Sequence, residues 1–332
     1  MYFNTAFNYG DINEILDSSN YSDSIKFFAS ISSCDNSGIL NYSEILRTKE
    51  NIDEQCLIKI LIFTAAINLV SKNRGMCVEI LNKLGPPSFD KVIGWQQSFF
   101  YSTWQLLMLH LKIKPNNYKL INAKKLHDKK LIIGDSHLFG MIPGLINNSD
   151  YLFVYIPGLR YSLLSSPQDN LKKTAIRNAL AIMYEMDNII ISIGEIDTRS
   201  FLIDAFNDRE YSKKNSISYF KNIFSDSLNY IQKNISHNQE LFIIIPPPPF
   251  KIINNIENKS KLNQIIKSYL DIIIELKNIL ILKKIKFIEY PSNIIDADGF
   301  VDQNYLIDHA HFNQDIYMKL LGFEPILPIQ VS

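Results

Sequence analysis

The chain has 332 residues, 46% hydrophobic and 20% charged, enough for two domains of ordinary size around a substantial buried core. Lysine and arginine total 34, as do aspartate and glutamate, so the formal net charge is zero and there is no electrostatic case for nucleic acid. The opening Met1-Tyr2-Phe3-Asn4-Thr5 lacks a basic start followed by an apolar run, and the apolar stretch Leu57 to Val70, broken by Lys59 and Asn68, is too short to span a bilayer. The expectation is a cytoplasmic protein without a membrane span. Three cysteines, Cys34, Cys56 and Cys77, show no metal-ligand spacing and read as reduced, buried thiols.

Residues 1 to about 125 read as helix throughout. Cys56, Ile60, Phe63 and Ile67 recur at three- and four-residue spacing between Ile52 and Lys72. Val92, Trp95, Phe99, Leu106 and Leu109 form a similar stripe between Phe89 and Ile113, with Gly85-Pro86-Pro87 as the break between the two. No repeat signature is present. An interaction or self-association module for a protein partner is one reading of this part, and a plain packed helical domain is the other.

From residue 126 a second domain is expected, running to 332. Short apolar strands at Lys130–Ile133, Tyr151–Ile156, Asn188–Ile193, Leu241–Ile245 and Ile285–Glu289 alternate with amphipathic helices. Leu171, Ala175, Ala179, Ile182 and Met186 mark one helix, Ile217 to Ile235 a second and Leu262 to Leu280 a third. Strands without internal polarity, separated by crossover helices, imply an α/β fold with a parallel sheet covered on both faces. In such sheets the reactive loops lie beyond the carboxyl ends of the strands.

Four such segments could carry chemistry. Gly134-Asp135-Ser136-His137 follows the first strand, which would place the Ser136 hydroxyl at the amino end of the next helix with its N–H turned to a developing oxyanion. Pro157-Gly158-Leu159-Arg160 follows the second, where Gly158 is either a second oxyanion donor or a turn glycine. Gly194-Glu195-Ile196-Asp197-Thr198-Arg199 follows the third as a loop. Its two carboxylates and one arginine suggest a site or a structural ion pair; glycosidase chemistry would need a carboxylate separation that sequence neighbours do not reveal. Asp308-His309-Ala310-His311 precedes a short terminal helix marked by Ile316, Leu320 and Leu321. Its paired histidines invite a metal reading, against which only His137 of the other four histidines is placed to join them. The favoured reading is a serine-activating base at His311, oriented by Asp308, with His309 as a spacer or substrate contact.

With these segments in this order, residues 129 to 323 resemble the SGNH (GDSL-like) hydrolase family. The resemblance implies a flavodoxin-like three-layer α/β/α sheet, with Ser136 as nucleophile, Gly158 as oxyanion donor and Asp308 and His311 completing a triad. The proline-rich exit of the fourth strand, Ile245-Pro246-Pro247-Pro248-Pro249, also looks like family members. The third block departs, because Ile196 stands where the family has an asparagine whose amide is the third oxyanion donor. This Gly-Glu-Ile-Asp form is similar to a branch associated with bacterial surface glycans. Losing one such donor costs about 10²–10³ in rate, and Arg199, then Arg160, are the candidates to replace it. The implied activity is esterase or O-acyltransferase chemistry on a carbohydrate or other acyl ester, with acetyl as the implied acyl group. No cofactor is required, and acetyl-CoA is the candidate donor if transfer operates. The alternative is a glycan-binding or scaffold protein that kept this fold without efficient chemistry.

Overall fold

The computed structural model describes Lys26, Gly38, Asn41, Glu44, Ile45 and residues 54–84, 103–109, 111, 118–120, 129–145, 148–156, 158–182, 185–206, 217–250, 259–307 and 311–325. The first expected stripe is helix α1 (Glu54–Val70), followed after a short turn by α2 (Arg74–Leu84). Of the second stripe, residues 103–109 are described and helical, whereas Gly85-Pro86-Pro87 lies outside the described residues. The part before residue 125 is not helical throughout: Tyr118–Leu120 is a strand, β1. Its partner is β7 (Phe323–Pro325), in an antiparallel ribbon that pairs Tyr118 with Pro325. A three-residue strand carries too little alternation to be seen in a local pattern. Cys77 is buried, and burial pushes its thiol up to about 12, so it remains an unreactive core residue.

The five apolar runs form parallel strands β2 (Lys130–Gly134), β3 (Tyr151–Tyr155), β4 (Asn188–Ser192), β5 (Glu240–Ile244) and β6 (Lys286–Ile288), in the spatial order β3-β2-β4-β5-β6. This is the doubly wound order in which the chain starts centrally, adds one strand on one side and continues on the other. Strand alternation sends Ile132, Phe153, Ile190 and Ile244 to one face, and Leu131, Ile133, Ile189, Ile191 and Ile243 to the other. The first face is covered by α1, by α3 (Leu138–Leu145) and by α9 (Gln314–Leu320). The second is covered by α4 (Tyr161–Leu164), α5 (Leu171–Ile182), α7 (Ile217–Lys233) and α8 (Lys259–Leu282). Helices α1 and α2 share one core with the sheet, so the described helices before residue 125 are packed onto the α/β layers. No described helix is long and apolar enough to cross a membrane.

The register aligns the strand ends in a row. Tyr155, Gly134, Ser192, Ile244 and Ile288 lie side by side from β3 to β6. The segments that follow these residues therefore emerge at one edge, about 4.8 Å apart from strand to strand. The order reverses between β2 and β4, so this edge holds the crevice where doubly wound sheets bind ligands.

Helix α9 meets α3 at a notch. A Cβ added to Gly140 would stand 2.1 Å from Cε2 of the fully buried Tyr317, an overlap that only movement of the ring or helix could relieve. Gly140→Ala is expected to destabilise the fold by about 1–3 kcal/mol through overpacking. Gly75→Ala in α2, where a Cβ meets nothing within 4 Å, is expected to be neutral or to stabilise by about 0.5–1 kcal/mol. Denaturant unfolding of the two variants checks this contrast; equal midpoints would remove the notch as a constraint.

Candidate active site

The turn after β2 is built by its own backbone. The carbonyls of Asp135, Ser136 and His137 accept from the N–H groups of Leu138, Phe139 and Gly140 at 3.1, 3.2 and 3.3 Å, which starts α3. Ser136 thus sits, half-buried, at the amino end of a helix directly beyond β2. His311 reaches it from the other end of the described chain. Its carbonyl accepts from Ile307 N–H at 2.8 Å, closing the turn that contains it, and Phe312 next to it is fully buried against Phe250, Tyr290 and Tyr317. Asn313 then caps α9 by accepting from Ile316 N–H at 3.2 Å.

The two side chains meet. Ser136 Oγ lies 2.9 Å from His311 Nε2, within hydrogen-bond reach for proton transfer between a hydroxyl and an imidazole. Asp308 and His309 lie outside the described residues. Among the described residues no group of three or more His, Cys, Asp or Glu side chains is arranged to hold a metal ion.

Gly158, in the turn after β3, has a φ of 62°, and a Cβ there would meet nothing within 4 Å. It is a left-handed position facing open space, which glycine occupies without strain. Arg160 is exposed and flanks the extended start of α4 without a side-chain capping bond. That helix is capped across space by Asp197, whose buried carboxylate accepts from the N–H groups of Tyr161 at 2.7 Å and Ser162 at 3.2 Å. Burial raises the Asp197 pKa despite these donors. Asp197 therefore ties the Gly158 turn to the end of β4.

The third segment is not a loop. Residues Glu195–Phe206 form α6, with Glu195 and Asp197 in its first turn, where the helix dipole favours carboxylates. Two acidic residues and an arginine mask the helical pattern of the apolar residues behind them. Glu195 is buried at 8% exposure, and burial by itself would raise its pKa. The cations His137 and Arg199 outweigh burial and lower it. Arg199 Nε stands 3.1 Å from Glu195 Oε1 as an ion pair outside hydrogen-bond alignment, with the arginine side chain 38% exposed. Arg199 is thus held on its own helix, one turn on from Glu195. Ile196 is half-buried.

Three features were not anticipated from local patterns. His137 is buried under the serine, its Nδ1 2.8 Å from Tyr317 Oη and its Nε2 3.9 Å from Glu195 Oε2. A small pocket of about 230 Å³, counting its opening to solvent, lies against Asp135, His137, Ser192, Glu195 and Tyr290. A larger one of about 500 Å³, counting its opening to solvent, lies between α6 and the proline run, lined by Glu195, Arg199, Leu202, Pro247, Phe250 and Phe300 among others. Tyr317 falls inside the apolar pattern of the terminal helix, so nothing local distinguishes its hydroxyl. A polar residue directly after the turn serine was the visible hint for His137.

The capping role of Asp197 has a direct test. Asp197→Ala leaves two backbone donors without their acceptor, one of them fully buried, and is expected to cost about 2–4 kcal/mol of stability. Asp197→Asn, which retains one acceptor oxygen, should recover part of it. Thermal unfolding measures both; an alanine variant as stable as the parent would show that α4 does not need this cap.

No protein-family profile matches the sequence, and no curated protein matches it. Solved structures that align with this chain include a GDSL-like lipase from Bacteroides thetaiotaomicron, at 15% identity over 60% of this chain and 86% of that one, with a TM-score of 0.39. A protein described as an acylhydrolase from Bacteroides fragilis aligns at 16% identity over 69% of this chain and 94% of that one, with a TM-score of 0.40. A carbohydrate acetylesterase family member from Sinorhizobium meliloti aligns at 13% identity over 58% and 94% of the two chains, with a TM-score of 0.35.

Proposed function

We propose that this chain is a serine-dependent acyl-transfer enzyme, an SGNH-type esterase or O-acyltransferase. The observation that carries the reading is the 2.9 Å contact between Ser136 Oγ and His311 Nε2 at the switch-point edge of the sheet. His311 takes the serine proton as Oγ attacks the ester carbonyl, then returns it to the leaving alcohol. Asp308, three residues before His311, fixes the imidazole tautomer. The N–H groups of Ser136 and Gly158 hold the oxyanion. With Ile196 at the asparagine position, a third donor comes from Arg160 or from Arg199 after it leaves Glu195; without one the turnover is slow.

The proposed substrate is a small acyl group, acetyl first, on a carbohydrate hydroxyl of the bacterial surface-glycan type. Hydrolysis and transfer share one acyl-serine and differ only in whether water or a sugar hydroxyl resolves it. Acetyl-CoA is the proposed donor in the transfer case. The position of Ile196, together with the engagement of Arg199 by Glu195, favours as second reading a glycan-binding protein without efficient turnover.

A fluorophosphonate probe and a p-nitrophenyl acetate assay separate these readings. The wild type should label at Ser136, and Ser136→Ala should abolish labelling and lower kcat by up to about 10⁶, as expected where nucleophile and base act as one unit. His311→Ala should approach that loss. Intact-mass measurement with acetyl-CoA should show a slowly acetylated Ser136 that a matching glycan discharges faster than water. An unlabelled wild type without esterase or transferase activity would overturn the enzymatic reading and leave the binding reading.

A further inference from the structure

A second imidazole lies beneath the first. His137 is 4% exposed, and its ring centroid is 4.8 Å from that of His311 with the planes tilted by 43°. Both of its nitrogens face oxygen, Nδ1 toward Tyr317 Oη at 2.8 Å and Nε2 toward Glu195 Oε2 at 3.9 Å. The carboxylate only accepts and so favours a hydrogen on Nε2, and the phenol on Nδ1 can accept or donate, so these partners suit an imidazolium as well as the Nε2–H neutral ring. A ring with a proton on each nitrogen is an imidazolium.

The surroundings support that charge. From the β2–α3 turn comes Asp135, buried, accepting from the His137 N–H at 3.2 Å. From α6 come Glu195 and the Arg199 that shares it. From the C-terminal segment come His311 and Tyr317, and from beyond β6 comes Tyr290, on the same small pocket. Burial by itself would lower the His137 pKa, but the carboxylates of Glu195 and Asp135 outweigh burial and Arg199 and raise it. Glu195 is held low in return. A charge this close to His311 acts through little intervening water.

We propose that His137 is a positioning residue that carries a standing imidazolium, held by Glu195 and Asp135, and that this charge lowers the basicity of His311 and so sets the pH at which Ser136 is activated. The inference rests on the serine reading for its effect on turnover, though not for the charge itself. The sign follows from like-charge repulsion. A cation 4.8 Å from His311 disfavours a second proton there, keeping the base neutral to lower pH. Burial raises the Asp135 pKa, so Glu195, paired with Arg199, is the principal negative charge; removing the imidazolium lifts the repulsion on a second proton and favours protonated His311.

The test is NMR titration of the histidine side chains together with the pH dependence of kcat/KM. In the wild type His137 should read as imidazolium across neutral pH while His311 titrates below it. His137→Gln, which keeps a donor and an acceptor without charge, should raise the His311 pKa and the acidic limb of kcat/KM together, by about one to two pH units. His137→Gln combined with Glu195→Gln removes both charges and should bring the limb back toward the wild-type position. A loss from packing alone would lower kcat in both variants without this reversal. A neutral His137 at pH 7 in the wild type, which needs no variant to fold, would overturn the inference; so would a His311 pKa unmoved or lowered in His137→Gln. Failure of the serine reading is seen separately, as a wild-type Ser136 that no fluorophosphonate labels, and the charge of His137 is still decided by its titration.

Discussion

The contact between α3 and α9 is the constraint on which the candidate site depends. Ser136 and His311 are 175 residues apart, and a 2.9 Å contact between them tolerates little error in the placement of either helix. Tyr317 supplies the fit twice. Its ring fills the space a side chain at Gly140 would take, and its hydroxyl holds the imidazole next to the serine. The aromatic group around Phe312 holds the backbone from which His311 projects. The Ser136 side and the His311 side are thus joined by packing that would persist with these two side chains removed.

Electrostatics is layered onto that packing in an uncommon way. Two acidic groups, Asp135 and Glu195, are buried beside the serine, where an unpaired carboxylate would be costly. For Glu195 the cost is offset by His137 and Arg199 rather than by solvent, whereas for Asp135 burial prevails and raises its pKa. Glu195 stands immediately before Ile196, so an alkyl side chain sits beside the residue that gathers the charge. The Glu195 pairings thereby place a field next to the His137–His311 pair.

Much of this was legible in the chain and some was not, for reasons of range. The five parallel strands and the long helices α7 and α8 announce themselves because each buries a repeating set of apolar side chains, a local property. The serine turn is legible because its meaning depends on the strand before it. Helix α6 was read as a loop because Glu195 and Asp197 lie in its first turn and Arg199 one turn on, which places most of its apolar residues late. The β1–β7 ribbon escaped because three residues have no period. Roles of Tyr317 and His137 are set by partners 180 residues away, and no window of sequence contains both ends of such a bond.

The antiparallel ribbon joins Tyr118 to Pro325, with Ser136 lying inside the span it closes and His311 close to its far end. During synthesis the serine turn leaves the ribosome long before the histidine is made. The face of the sheet bearing Ile132, Phe153 and Ile190 likewise waits for its cover from α9. Elongation at about 5–20 residues per second makes that interval on the order of ten seconds or more. Throughout it Ser136 lacks its contact with His311, so the geometry of the candidate site is complete only when the last helix docks.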